Sequence, residues 1–164
     1  MRAENESGST LTIDLSAIAE NWCILARRAG QAECGAVVKA NAYGCGIEEV
    51  VPALASVGCR TFFVAHISEA RRARKVAPNA VIYILNGLLP GSAAACRAIG
   101  ARPVLGSAAE LAEWRAGGPA GLCAIHVDTG MNRLGFSPSE AEAMAEGDAL
   151  AELETALLMT HLSA

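Results

Sequence analysis

Charge is what this sequence has least of. Charged residues make up 18% of its 164 residues and aromatics 4%, against 52% apolar residues. Its 34 alanines supply much of that apolar share. Such a composition excludes disorder, because disordered chains are polar and strongly charged. At this length a chain buries roughly two-thirds of its unfolded surface, enough for a real core. The length fits one ordinary domain or part of a larger one.

A basic excess is also missing. The net charge is −4 and the pI about 5.4, which argues against nucleic acid as a main partner. The run Arg71-Arg72-Ala73-Arg74-Lys75 is a local exception, and it reads as a solvated helix face. The start, MRAENESGST, has no apolar stretch of the kind a secretory signal needs. Residues 76–96 carry no charge, but Pro78, Asn79, Asn86, Gly87, Pro90 and Gly91 interrupt them. That argues against a membrane-spanning helix.

No C-x-x-C pair occurs among the six cysteines. Without an export signal they read as reduced cytosolic thiols, mostly small buried hydrophobes. Cys123 and His126 are three apart in an apparent strand and so face opposite ways. No zinc site is expected from them.

What is present is an alternation. Short apolar runs, expected as strands, fall at Thr10–Asp14, Gly35–Lys39, Arg60–Ala65, Ala80–Leu85, Arg102–Leu105, Leu122–Val127 and Glu154–Met159. Several are nearly continuous in apolar character, as in strands covered on both faces. Between them lie segments with helical spacing. Ile18, Trp22, Leu25 and Ala29 share one stripe, as do Val50, Val51, Leu54 and Val57. Ser68 reads as the cap of a helix over 69–76. Ser107 with Glu110 reads as a capping box, and Ser137-Pro138-Ser139-Glu140 repeats it with proline at the first helical position.

A βα repeat of this kind implies parallel strands joined by right-handed crossovers. Two architectures compete, a doubly wound open sheet and a (β/α)8 barrel. Gly44-Cys45-Gly46 lacks the third glycine of a dinucleotide-binding fingerprint, which favours the barrel. Six strands after the first suit a barrel of eight, so the chain reads as the front portion of a longer protein.

Three strand ends carry chemistry. Lys39 closes the apolar run Ala36-Val37-Val38, where a charge is costly to bury. Desolvation lowers a lysine pKa and frees the amine as a nucleophile, so imine formation competes here with a lysine that simply reaches solvent. Tyr43 follows, with Gly44 and Gly46 allowing a tight loop. Its hydroxyl suits a phosphate oxygen, or it packs at the rim. After the strand Leu122–Val127, Arg133 either holds an anion or phenolate through its fork of donors, or braces its own loop by pairing with Asp128. His161 ends a third strand and either serves a planar ligand or makes a structural hydrogen bond. Lysine, arginine and histidine would converge on one mouth of a barrel.

At these residues the sequence resembles the alanine racemase family. AVVKANAYGCG (36–46) is similar to its cofactor-lysine motif, HVDTGMNRLGF (126–136) to its second signature and LMTHLSA (158–164) to a third. TLTIDLSAIAENW, FFVAHISEARRAR and RPVLGSAAELAEW also fit in order. The resemblance runs over nearly the whole chain from Thr10.

The resemblance implies a (β/α)8 TIM-type barrel, incomplete here, with about six barrel strands and no C-terminal β-domain. It implies a segment 1–14, whose strand would join that missing domain, and a partial barrel over 15–164. It implies pyridoxal 5′-phosphate as cofactor and interconversion of L- and D-alanine, which supplies D-alanine for the bacterial cell wall. Lys39 matches the lysine that binds the cofactor and acts as one catalytic base. Tyr43 matches a phosphate contact. Arg133 matches an arginine near the cofactor's phenolic oxygen and the substrate carboxylate. His161 matches a histidine packed on the pyridine ring, and Val37 and Leu85 would line the pocket.

Two positions depart from the pattern. His126 stands where much of the family has a modified lysine that helps position the arginine, and Cys45 replaces a usual histidine. The family's second base is a tyrosine of the C-terminal domain, given by the partner subunit, and neither Tyr43 nor Tyr83 matches it. The expectation is a cytoplasmic enzyme, homodimeric at full length, with this chain alone an inactive fragment. A non-catalytic pyridoxal-phosphate-binding barrel, or a racemase of serine or another small amino acid, are the alternatives.

Overall fold

The computed structural model describes residues 8–117, 121–150 and 153–163. Six strands form one sheet in chain order: β1 (Ala36–Val37), β2 (Thr61–Val64), β3 (Val81–Ile84), β4 (Arg102–Leu105), β5 (Cys123–His126) and β6 (Thr155–Met159). Every neighbouring pair is parallel. Helices make the crossovers: α1 (Leu15–Ala29) before β1, then α3 (Ile47–Ser56), α4 (Ile67–Val76), α5 (Ala93–Ala98), α6 (Ala108–Ala116) and α7 (Pro138–Glu146). One short turn, α2 (Lys39–Tyr43), follows β1. Six parallel strands in unbroken order, each joined to the next by a helical crossover, are part of a (β/α)8 barrel.

The two faces of the sheet bury different residues. Phe62, Val64, Ile82, Ile84, Leu105, Cys123 and Ile125 pack outward against the helices, with Val51, Leu54, Ala70 and Trp114 in the same core. The alternate residues Tyr83, Val104 and Ala124 pack with Phe63, Leu85, Leu157 and Met159 on the other face. This is the period-2 pattern of a strand. Phe63 and Tyr83 stack with centroids 5.2 Å apart, and Arg102 donates to the Tyr83 hydroxyl at 3.0 Å.

The expected strands are present except the first. No strand forms over Thr10–Asp14, and Leu11 is 81% exposed. An isolated strand has no neighbour to satisfy its backbone groups, and none lies alongside among the described residues. Asp14 instead caps α1, accepting from Ala17 N at 3.0 Å. The first seven residues of the expected 1–14 segment lie outside the described residues.

Three local expectations change. Helix α4 begins at Ile67 with His66 as its cap, not at Ser68, because Glu69 accepts from the Ala65 and His66 backbone N–H groups. Helix α5 was not foreseen from the sequence. The basic run is a solvated face only at Arg71 and Lys75. Arg74 donates to four carbonyls, those of Pro78, Ala80, Ile99 and Gly100. Arg72 pairs with Glu48 at 2.5 Å. All six cysteines are free. Cys59, Cys96 and Cys123 are buried and the other three partly so. No helix among the described residues is long and apolar enough to cross a membrane.

Candidate functional site

A cavity of about 510 Å³ opens at the C-terminal ends of the strands, the end where barrels carry their chemistry. All six residues singled out from the sequence line it: Val37, Lys39, Tyr43, Leu85, Arg133 and His161. Phe63, Asn86, His126, Met159 and Thr160 line it too. Phe63, Asn86, Met159 and Thr160 carry no charge that marks them as site residues in the sequence. Strand parity was the available signal, since Phe63 and Met159 share a sheet face with Leu85.

Lys39 does not end a strand. The ladder closes one residue earlier, where Val38 N donates to Phe63 O at 2.8 Å, and Lys39 opens the α2 turn. Ala40, Asn41, Ala42 and Tyr43 then all take positive φ, between 51° and 56°. A left-handed turn of non-glycine residues costs about 1–2 kcal/mol per residue, so the surroundings must hold it. Glu69 does part of this. Its carboxylate accepts from Asn41 N at 3.2 Å as well as from Ala65 and His66. Burial pushes the Glu69 carboxyl up, and these donors outweigh it, leaving the group below its ordinary value. The Asn41 side-chain oxygen accepts from Ile47 N at 3.2 Å and from Arg72 at 2.6 Å. The turn leaves Tyr43 64% exposed at the cavity rim.

Arg133 arrives on a loop that folds back on its own strand. Phe136 N donates to His126 O and Asp128 N to Phe136 O, both at 2.8 Å. Asp128 does not brace Arg133. Its carboxylate accepts from Gly130 N at 2.9 Å and Asn132 N at 3.0 Å, and those donors lower its pKa. Arg133 is exposed and lines the cavity.

His126 is buried, 7% exposed, and its Nε2 has no hydrogen-bond partner among the described residues. Burial holds its pKa below the ordinary value, with Asp128 opposing and His161 and Arg133 adding to the shift. His161 is exposed, its Nδ1 2.9 Å from Leu162 O. The Thr129 and Thr160 hydroxyls meet at 2.6 Å and tie the Arg133 loop to the segment bearing His161.

The capping box expected at α6 is only half formed. Ser107 accepts from Glu110 N, but Glu110 reaches across to Gly106 N and Leu88 N. It thereby pins the β3–α5 loop to the start of α6. The box at Ser137 and Glu140 is complete. Among the described residues no group of three or more His, Cys, Asp or Glu is placed to hold a metal.

The family model described as alanine racemase, N-terminal domain, matches residues 13–164. The chain belongs to the alanine racemase N-terminal domain family. An alanine racemase of Methylobacterium nodulans is 57% identical over 99% of this chain and 45% of its own length. The crystal structure of alanine racemase from Bartonella henselae with covalently bound pyridoxal phosphate superposes with a TM-score of 0.85 at 36% identity. It covers 92% of this chain and 46% of that one. A histidine racemase from Leuconostoc mesenteroides superposes with a TM-score of 0.79 at 27% identity, over 92% and 42%. The chain spans less than half the length of these alanine racemase relatives.

Proposed function

We propose that this chain is the cofactor-binding barrel portion of a pyridoxal-phosphate-dependent alanine racemase. One observation carries the reading. One of only two lysines in the chain, Lys39, shares a single cavity with Tyr43, Arg133 and His161. The donor set fits the group. An amine is available for covalent attachment, a phenol and a guanidinium for its oxygens, and Val37, Phe63, Leu85 and Met159 for an apolar ring. The volume lies in the range of small-ligand sites, about 300–1,000 Å³.

When bound, pyridoxal phosphate supplies a conjugated ring that delocalises the charge left when an α-proton departs. The chain's own residues do the rest. Lys39 would hold the cofactor covalently, and its amine would take or return the α-proton on one face. Tyr43 would donate to the phosphate. Arg133 would offer its fork to the phenolic oxygen and to the substrate carboxylate. His161 would pack on the ring, with Val37 and Leu85 as apolar walls.

Inversion needs a second proton-transferring group on the other face. Tyr83 is engaged with Phe63 and Arg102 on the inner sheet face. The reading assigns that group to a part of the relatives' length that this chain does not span, supplied by a partner copy in a cytoplasmic homodimer. Similarity to a histidine racemase favours one alternative, the same chemistry on another amino acid.

The test is α-proton exchange in D2O with pyridoxal phosphate and each enantiomer of alanine. With Lys39 as the one base, the chain exchanges a single enantiomer without inverting it, and Lys39→Ala abolishes the exchange. Exchange that survives in Lys39→Ala, or inversion at the rate of an intact racemase, contradicts the reading.

A further inference from the structure

We propose that Glu69 is a positioning residue for the lysine site, clamping the left-handed turn through which Lys39 and Tyr43 are presented to the cavity. Its functional half rests on the cofactor reading above, and its structural half does not. Glu69 sits in the first turn of α4, so accepting from Ala65 and His66 N–H is ordinary helix capping. The other carboxylate oxygen does something capping does not require. It crosses 28 residues of sequence to accept from Asn41 N, the middle residue of the α2 turn. The same helix sends Arg72 to the Asn41 side-chain oxygen, and Glu48 holds Arg72 from the far side.

Asn41 is therefore gripped at its backbone by one α4 side chain and at its side chain by another. It lies two residues after Lys39 and two before Tyr43. Four consecutive residues of positive φ have no glycine among them, so the turn depends on external bonds rather than on intrinsic preference. A carboxylate suits the task because it offers acceptors only. Glutamine at 69 would turn a donor either towards Asn41 N–H or towards the Ala65 and His66 N–H groups it now serves.

Arg74 gives the control. It lies on the same helix, but it binds carbonyls at the opposite end of the sheet, away from the cavity.

The experiment compares Glu69→Gln and Arg74→Ala by amide hydrogen exchange without cofactor, then by pyridoxal phosphate affinity. Glu69→Gln speeds exchange at Asn41 about tenfold, the loss of one hydrogen bond, and weakens pyridoxal phosphate binding by a similar factor. Arg74→Ala speeds exchange across the sheet without singling out the Asn41 amide, and it leaves the affinity of the folded chain unchanged. Should Glu69→Gln not fold, Arg72→Lys, at a more exposed position, loosens the outer half and speeds exchange at Ile47.

Unchanged Asn41 exchange in Glu69→Gln overturns the clamp. So does an equal, chain-wide rise in both variants, which makes Glu69 only a helix cap. Faster Asn41 exchange with unaltered affinity overturns its positioning role. If the unsubstituted chain binds no pyridoxal phosphate, the cofactor reading and the positioning role fall together, while Asn41 exchange still decides whether the clamp exists.

Discussion

Substituting Gly135 by alanine should disable the Arg133 loop, and the size of the effect follows from the geometry. Gly135 has φ of +111°, and a Cβ built there lies 2.8 Å from Asp128 N and 3.1 Å from His126 O. Both are backbone atoms, so neither can turn aside as a side chain would. They belong to the two 2.8 Å bonds that close the loop on β5. Two costs add. Backbone strain at positive φ is about 1–3 kcal/mol, and overpacking about 1–3 kcal/mol. The expected destabilisation is about 2–6 kcal/mol, a large share of the ~5–15 kcal/mol that holds a domain together. Gly44→Ala separates the terms. Gly44 also has positive φ, but a Cβ there meets nothing within 4 Å, so only the strain remains. Urea unfolding of both variants checks this, with Gly135→Ala losing clearly more than Gly44→Ala. Equal losses, or a Gly135→Ala midpoint unmoved from the original, would refute the packing argument.

Two further outcomes follow from other parts of the fold. Arg74→Ala leaves four carbonyls without their charged donor and should cost about 2–4 kcal/mol in urea unfolding. A loss under about 0.5 kcal/mol would show that water replaces it freely. His126 titrates below its ordinary value in the folded chain, so as pH falls the unfolded state takes up the proton first. Its contribution is fully present above pH ~6.5 and is lost as pH falls from there through the depressed folded value. Urea midpoints between pH 5 and 8 should therefore drop on the acid side for the original chain and less so for His126→Asn. Parallel curves would contradict this.

Much of the architecture was legible in the sequence because it rests on strand and helix periodicity. The runs at 60–65, 80–85 and 102–105 mark buried parallel strands by their apolar content alone. The short α5 was not legible, since Ala93-Ala94-Ala95 has no polar face to set a period. Nor was the left-handed turn. Ala40-Asn41-Ala42-Tyr43 contains no glycine, and the bonds that hold it come from Glu69 and Arg72, about 30 residues away. Within the basic run the role of Arg74 was hidden for the same reason, because the carbonyls it binds come together only in three dimensions. The site residues were legible as strand-end polar groups and, more sharply, as motifs. Their apolar company at Phe63 and Met159 needed the sheet face to be known.

The central claim is that Lys39 is the cofactor's attachment point, and the chain's two lysines make it directly measurable. Treatment with pyridoxal phosphate, borohydride reduction and peptide mapping gives the share of label on Lys39 and on the exposed Lys75. The account predicts saturable labelling at Lys39 at concentrations that leave Lys75 unmodified. Equal labelling of the two lysines, or none at Lys39, would contradict it.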